Sequence, residues 1–157
     1  MKRLLTFITA LTAALFTSEA ASDELKSVLK DLDSHIENSH IYVQQKQERI
    51  DQLRQKLEGA TCSETYDINY GLFEEYQSFR YDSAYFYANR SLELAGQMND
   101  QDKMVRSRCA VVFCYMSSGL FLEAFDEMKK VDARNASLQV KKEYYSLYNR
   151  LYYDASD

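Results

Sequence analysis

Residues 111–128, VVFCYMSSGLFLEAFDEM, decide the fold. A mostly apolar run that contains Tyr115 gives way to Ser117, Ser118 and Gly119, and a second run follows with Ala124 in its first turn. Glycine suits the reversal because it adopts left-handed backbone at little cost. Two helix backbones approach to about 8 Å only where one of them lacks bulk, and Ala124 provides that gap opposite Tyr115. The stretch predicts a hairpin of two helices.

The hairpin pattern repeats along the chain. Leu72 stands 39 residues before Val111, Leu151 stands 40 residues after it, and Ala84 precedes Ala124 by 40. A period near 40 is typical of stacked helix hairpins. The sequence therefore predicts an all-α fold with helices near 63–77, 81–97, 101–117, 120–131 and 137–155. These helices form repeats over 59–157: about 63–100, 101–136 and a partial third at 137–157.

Composition supports this fold class. The chain has 157 residues, four Gly and no Pro, so nothing in it forces a break in a helical hydrogen-bond ladder. The net charge is −5 and no stretch is dense in Lys or Arg, whereas binding to nucleic acid needs clustered positive charge. We therefore expect no nucleic-acid partner for this chain.

The first twenty residues have the pattern of a secretory signal peptide. Lys2 and Arg3 precede an uncharged stretch at 4–16, and Ser18 and Ala20 are small residues that suit cleavage after Ala20. The uncharged stretch is shorter than the roughly 20 residues of a membrane-spanning helix. We expect a periplasmic or secreted mature chain with no membrane span.

A leading helical segment is predicted over 21–58. Its apolar residues recur in steps of four and three, interrupted at Ser39 and Lys46, and a kink is expected around residues 38–40. Such a stripe is either the seam of a coiled-coil dimer or the inner face of helices packed on the rest of the chain. The two polar positions favour the second interpretation. The stripe consists of Leu25, Leu29, Leu32, Ile36, Val43, Ile50, Leu53 and Leu57.

These repeats resemble the tetratricopeptide repeat (TPR) superfamily. Val111, Tyr115, Ala124 and Met128 occupy sites of the family pattern, although Arg108 stands at the usual Trp site and the helix-ending Pro is missing. With the signal peptide and the run at 42–50, the chain resembles the exported N-terminal region of TPR sensor and regulator proteins of Gram-negative anaerobes. The resemblance implies a non-enzymatic scaffold that binds a protein or peptide segment. A periplasmic ligand-sensing domain of a regulator is the alternative.

The resemblance also implies which residues contact the partner, because the first helix of each TPR hairpin lines the concave face. Carried across by repeat phase, the predicted partner-binding residues are Tyr70, Glu74, Arg106, Cys109, Phe113, Met116, Asn149 and Tyr153. The final helix carries five Tyr between residues 144 and 153, more than one face can bury. We expect either self-association through this segment or a more soluble protein when the chain is extended by another helix.

No catalytic, cofactor or metal motif is recognisable in the sequence. The two histidines, His35 and His40, are five residues apart rather than the four of a helical zinc pair, and no Gly-rich phosphate loop or nucleophile motif occurs. The three cysteines are an odd set, which leaves the redox state of Cys62 open. We expect no enzyme activity, no cofactor and no metal.

Overall fold

The computed structural model describes residues 24–156, and every regular element in that range is a helix. The chain divides into two units, Met1–Gln45 and Lys46–Asp157. The signal peptide predicted at 1–20 lies outside the described residues. Within the described residues, no helix combines the length and the apolar character that crossing a membrane requires.

The first unit contains helix α1, residues 24–37, and the start of α2, Ser39–Gln55. The break between them falls at Asn38, whose side-chain amide donates a 2.8 Å hydrogen bond to the carbonyl of Ser34. That bond competes with the helical ladder, as Asn side chains commonly do. The kink predicted around 38–40 is confirmed. In this unit the stripe residues Leu25, Leu29, Leu32, Ile36 and Val43 are all exposed.

The second unit holds the rest of α2 and the two predicted helix hairpins. Helix α3 packs on α4, α4 on α5, and α5 on both α6 and α7. The boundaries agree with the predicted ones to within about one residue, except that α6 ends at Met128 rather than near 131. The helices are α3 Cys62–Tyr76, α4 Tyr81–Met98, α5 Gln101–Ser117, α6 Phe121–Met128 and α7 Leu138–Asp154.

Several helices begin at side-chain caps or end at residues with left-handed backbone, and no proline takes part. Thr61 forms a capping box with Glu64 at the start of α3, and the side chains of Asp100 and Ser137 cap α5 and α7. Asn99 closes α4 with a φ of 52°, and Gly119 has a φ of 72° between α5 and α6. These caps satisfy backbone groups that a helix leaves without partners at its ends.

Small residues are buried where the helices of each hairpin cross. Ala84 is 2% exposed and Ala124 is fully buried, as the repeat pattern predicts. The first core lies between α3, α4 and α5 around Leu72, and the second joins α5, α6 and α7 around Leu151. Arg108, which stands at the usual Trp site, instead pairs with Glu127 of α6.

The end of α2 belongs to the core of the second unit. Ile50 is 1% exposed and packs in the first core, with Leu53 and Leu57 against it. The carboxylate of Glu75 accepts a 2.8 Å hydrogen bond from Arg49 Nε. Packing of the stripe inside the molecule is thus confirmed for residues 50–57. The stripe residues of the first unit are exposed, and for them the packing stays a prediction.

Candidate functional site

A groove of about 340 Å³ lies between α3, α5 and α7, the first helices of successive repeats. The helix spacing of a hairpin repeat sets this arrangement, because each first helix stacks beside the next one. We call it the first-helix groove. It is lined by Tyr70, Phe73, Glu74, Gln77, Val105, Arg106, Cys109, Ala110, Phe113, Val140, Glu143 and Leu147.

An ion pair joins two walls of the groove. Arg106 Nε on α5 donates a 3.0 Å hydrogen bond to Glu143 Oε2 on α7. The same guanidinium lies 5.1 Å from the centre of the Tyr70 ring on α3, within the range of a cation–π contact. Arg106 therefore touches all three helices that form the groove. Its side chain and that of Glu143 remain 39% and 36% exposed, so both are accessible to a ligand.

Aromatic rings form the apolar part of the groove. Phe113 meets the edge of Phe73 at a centroid distance of 6.3 Å, and Tyr70 lies 5.6 Å from Phe73 on the other side. The Arg150 guanidinium lies 5.7 Å from the centre of the Phe113 ring. Burial raises the pKa of Tyr70 to about 12, so its phenol is neutral at physiological pH. The rings offer apolar faces and neutral hydrogen-bonding groups.

The groove thiol is not a nucleophile in this state. Burial, followed by the nearby charge of Glu143, raises the pKa of Cys109 to about 12. Burial likewise raises the pKa of Cys114, which lies in the first core, to about 12. The thiolate is the reactive form of cysteine, so both groups stay protonated and inert near neutral pH.

Five of the eight residues predicted for partner binding lie in the first-helix groove: Tyr70, Glu74, Arg106, Cys109 and Phe113. The structure separates the other three from it. Met116 is 7% exposed and packs in the second core. Asn149 is exposed away from the groove lining, and Tyr153 is 70% exposed outside it.

The absence of Asn149 and Tyr153 from the groove lining has a geometric cause. Leu151 is fully buried against α5 and α6, and this contact fixes the rotation of α7 about its axis. Val140, Glu143 and Leu147 consequently face the groove. Asn149 lies two residues beyond Leu147, about 200° around a helix, and cannot share that face. The spacing of Val140, Leu147 and Leu151 is the signal in the sequence that indicates which face of α7 lines the groove.

The aromatic strip of α7 is partly covered. Tyr144 and Tyr148 are half-buried, whereas Tyr145, Tyr152 and Tyr153 are exposed. The Tyr148 hydroxyl donates a 3.1 Å hydrogen bond to the Tyr152 hydroxyl, and the Tyr152 ring packs on Phe125 at 5.0 Å. Self-association through residues 144–153 stays a prediction.

Both histidines form local hydrogen bonds with backbone carbonyls. His35 Nδ1 donates to the carbonyl of Asp31 at 2.7 Å, and His40 Nδ1 donates to the carbonyl of Glu37 at 3.1 Å. The described residues contain no group of three or more His, Cys, Asp or Glu side chains that could hold a metal ion.

Helix hairpins stacked so that their first helices line one groove define an α-solenoid of the tetratricopeptide class. A family model described as the SusR N-terminal TPR domain matches residues 36–157. The chain belongs to this family, since the match covers well over half of its length. Comparisons with curated proteins and with solved structures gave no match. TPR domains are in general non-enzymatic modules of protein interaction.

Proposed function

We propose that the chain is an exported scaffold that binds a segment of another protein in the first-helix groove and catalyses no reaction. The observation that carries the proposal is Arg106, which contacts Tyr70 and Glu143 across the groove while remaining partly exposed. A charged pair between aromatic walls can bind both the polar backbone and the side chains of an extended peptide.

The composition of the groove favours a peptide over a small polar metabolite. Phe113 and Leu147 supply apolar surface, and the exposed carboxylate of Glu74 adds an acceptor. The groove is open rather than enclosed and follows three helices, which suits a ligand longer than one side chain. Partners of such grooves bind through a few anchors in apolar pockets and polar contacts around them.

A second candidate is a ligand-sensing domain of a regulator. The family description supports it, because it names an N-terminal TPR domain, a part of a longer protein. In that case the first-helix groove would bind a small molecule. The two candidates share the groove and differ in the ligand.

Site-specific photo-crosslinking separates the two candidates. Benzoylphenylalanine replaces Phe113 in the groove, or Phe86, which is 62% exposed on α4, as the matched control. Irradiation in the native cell should give a defined protein adduct from position 113 and none from position 86. Equal adducts from both positions, or none from either, would contradict the scaffold proposal.

Affinity measurements then test the charged pair. A peptide from the crosslinked partner should lose about 10- to 150-fold in affinity with Arg106→Gln, since a charge-assisted hydrogen bond contributes about 1.5–3 kcal/mol. Arg90→Gln removes an equal charge on α4, where Arg90 pairs with Glu93, and should leave the affinity unchanged. A small molecule present at 100 times its Kd that stabilises the fold by about 2.7 kcal/mol would favour the sensing domain instead.

The export part of the proposal rests on residues 1–20 and is tested separately. Protein recovered from the native cell should begin at Ala21, and replacing Lys2 and Arg3 with Glu should retain it in the cytoplasm. Recovery of an intact N-terminus from cytoplasm would remove export from the proposal without affecting the groove.

A further inference from the structure

Helix α1 presents an apolar stripe that has no cover among the described residues of its unit. Leu25, Leu29, Leu32 and Ile36 are between 49% and 60% exposed, and they recur in steps of four, three and four. We call these four residues the α1 stripe. Val28, beside it, is 58% exposed. A contiguous apolar surface of this kind marks an interaction site.

The spacing of the α1 stripe is that of a coiled-coil seam, so the matching partner is another helix with the same spacing. A second copy of α1 provides one. When the two copies run antiparallel, Leu25 lies opposite Ile36 of the second copy and Leu29 lies opposite its Leu32. Each stripe residue then packs against a stripe residue, and none is left over.

The charges beside the stripe distinguish the two orientations. Lys26 follows Leu25 and Asp33 follows Leu32, so both lie along one edge of the α1 stripe. The antiparallel arrangement brings Lys26 beside Asp33 of the second copy, and symmetry forms the same pair twice. A parallel arrangement instead brings Asp33 beside Val28 and His40 beside His35, with no opposite charges together.

We propose that two copies of the chain associate through an antiparallel pair of α1 helices. The seam ends where Asn38 breaks the helix and Ser39 interrupts the stripe. It therefore contains four layers of side chains, which is short for a coiled coil, and the dimer forms only at high protein concentration. This inference is independent of what the first-helix groove binds.

Sedimentation equilibrium of the purified chain tests the interface. The unaltered chain should pass from monomer to dimer as concentration rises, and Leu29→Glu with Leu32→Glu should remain monomeric with the same unfolding temperature. Ser27→Glu, on the opposite side of α1, is the matched control and should still dimerise. A chain that is monomeric at millimolar concentration overturns the proposal. So does a dimer that survives the double substitution, which would assign association to the aromatic strip of α7.

Charge reversal tests the orientation at low salt. Lys26→Asp places like charges together twice and should raise the dimer Kd by about tenfold, given the few tenths to 1 kcal/mol of each exposed pair. Adding Asp33→Lys restores opposite charges in the antiparallel dimer and should return the Kd to its original value. Failure of the double variant to recover would overturn the antiparallel arrangement.

Discussion

Ser107 on α5 donates a 3.2 Å hydrogen bond to the hydroxyl of Tyr66 on α3, and both residues are buried. The Tyr66 hydroxyl in turn donates to the carbonyl of Lys103 at 3.4 Å. This short chain of polar groups joins the first helices of two successive repeats within an apolar environment. Buried polar groups of this kind stabilise one particular register of the two helices only while each keeps its partner.

Tyr66→Phe should therefore lower the free energy of unfolding by about 1–2 kcal/mol, because the Ser107 hydroxyl loses its acceptor inside the protein. Tyr66→Phe with Ser107→Ala should recover part of that loss, since neither polar group then remains. Urea unfolding of these two variants, of Ser107→Ala alone and of the original chain measures the coupling. A Tyr66→Phe protein as stable as the original would show that the bond contributes nothing.

Ile50→Asp should lower the free energy of unfolding by about 3–5 kcal/mol, since it removes a core side chain and buries a charge. Val43→Asp is the matched control: it lies one heptad earlier on the same helix and is 68% exposed, so its effect should stay within about 0.5 kcal/mol. Thermal unfolding of the two variants gives the comparison. Equal losses would contradict the division of α2 into an exposed and a buried part.

Two glycine substitutions should change stability in opposite directions. Gly96→Ala should raise the free energy of unfolding by about 0.5–1 kcal/mol, because Gly96 lies inside α4 and a Cβ there meets nothing within 4 Å. Gly119→Ala should lower it by about 1 kcal/mol, since the φ of 72° at this position is strained for alanine. Chemical denaturation distinguishes the signs, and a stabilising Gly119→Ala would refute the role given to the turn.

The carboxylate of Glu75 should make stability dependent on acid pH. The hydrogen bond from Arg49 holds the pKa of Glu75 below its ordinary value of 4.5. A carboxyl group whose pKa is lower in the folded state adds stability above its unfolded pKa and loses it as pH falls through the folded value. Glu75→Gln should thus be less stable than the original chain at pH 7.

That difference should narrow below about pH 4.5 and vanish once the carboxyl is protonated in both states. Glu93→Gln, at an exposed pair on α4, is the control and should match the original chain at both pH values. Unfolding midpoints measured at pH 7 and pH 3 provide the test. A difference that persists unchanged at pH 3 would show that packing, not charge, is responsible.

The helices of the second unit followed from the sequence because local signals agreed with the packing. The recurrence of Leu72, Val111 and Leu151, with Ala84 and Ala124 between them, identified the layers and the close crossings. The distance between helix backbones and the volume of the side chains determine these features, and both can be estimated from the residue types. The positions of Leu72 and Val111 within their repeats also predicted the five groove residues on α3 and α5.

Two features could be established only from the structure: which face of α7 lines the groove, and whether the α1 stripe is exposed. The rotation of α7 depends on how Leu151 packs against two other helices, so the phase of α3 and α5 does not transfer to Asn149 and Tyr153. The stripe has the same spacing from Leu25 to Leu57, yet residues 50–57 pack in the first core and the stripe residues of the first unit are exposed. Periodicity indicates that one face of a helix is apolar. Which residues cover that face depends on contacts with parts of the chain that are distant in sequence.

The three free cysteines give the chain a built-in reporter of its own unfolding. Cys62 is exposed, Cys109 is half-buried in the groove wall and Cys114 lies within the first core. A thiol reagent added to the native protein modifies Cys62 at once. It reaches Cys114, which is 2% exposed, only in molecules whose α5 has moved away from its neighbours. The rate at which Cys114 acquires a label, followed by mass, therefore measures opening of the first core without any introduced probe.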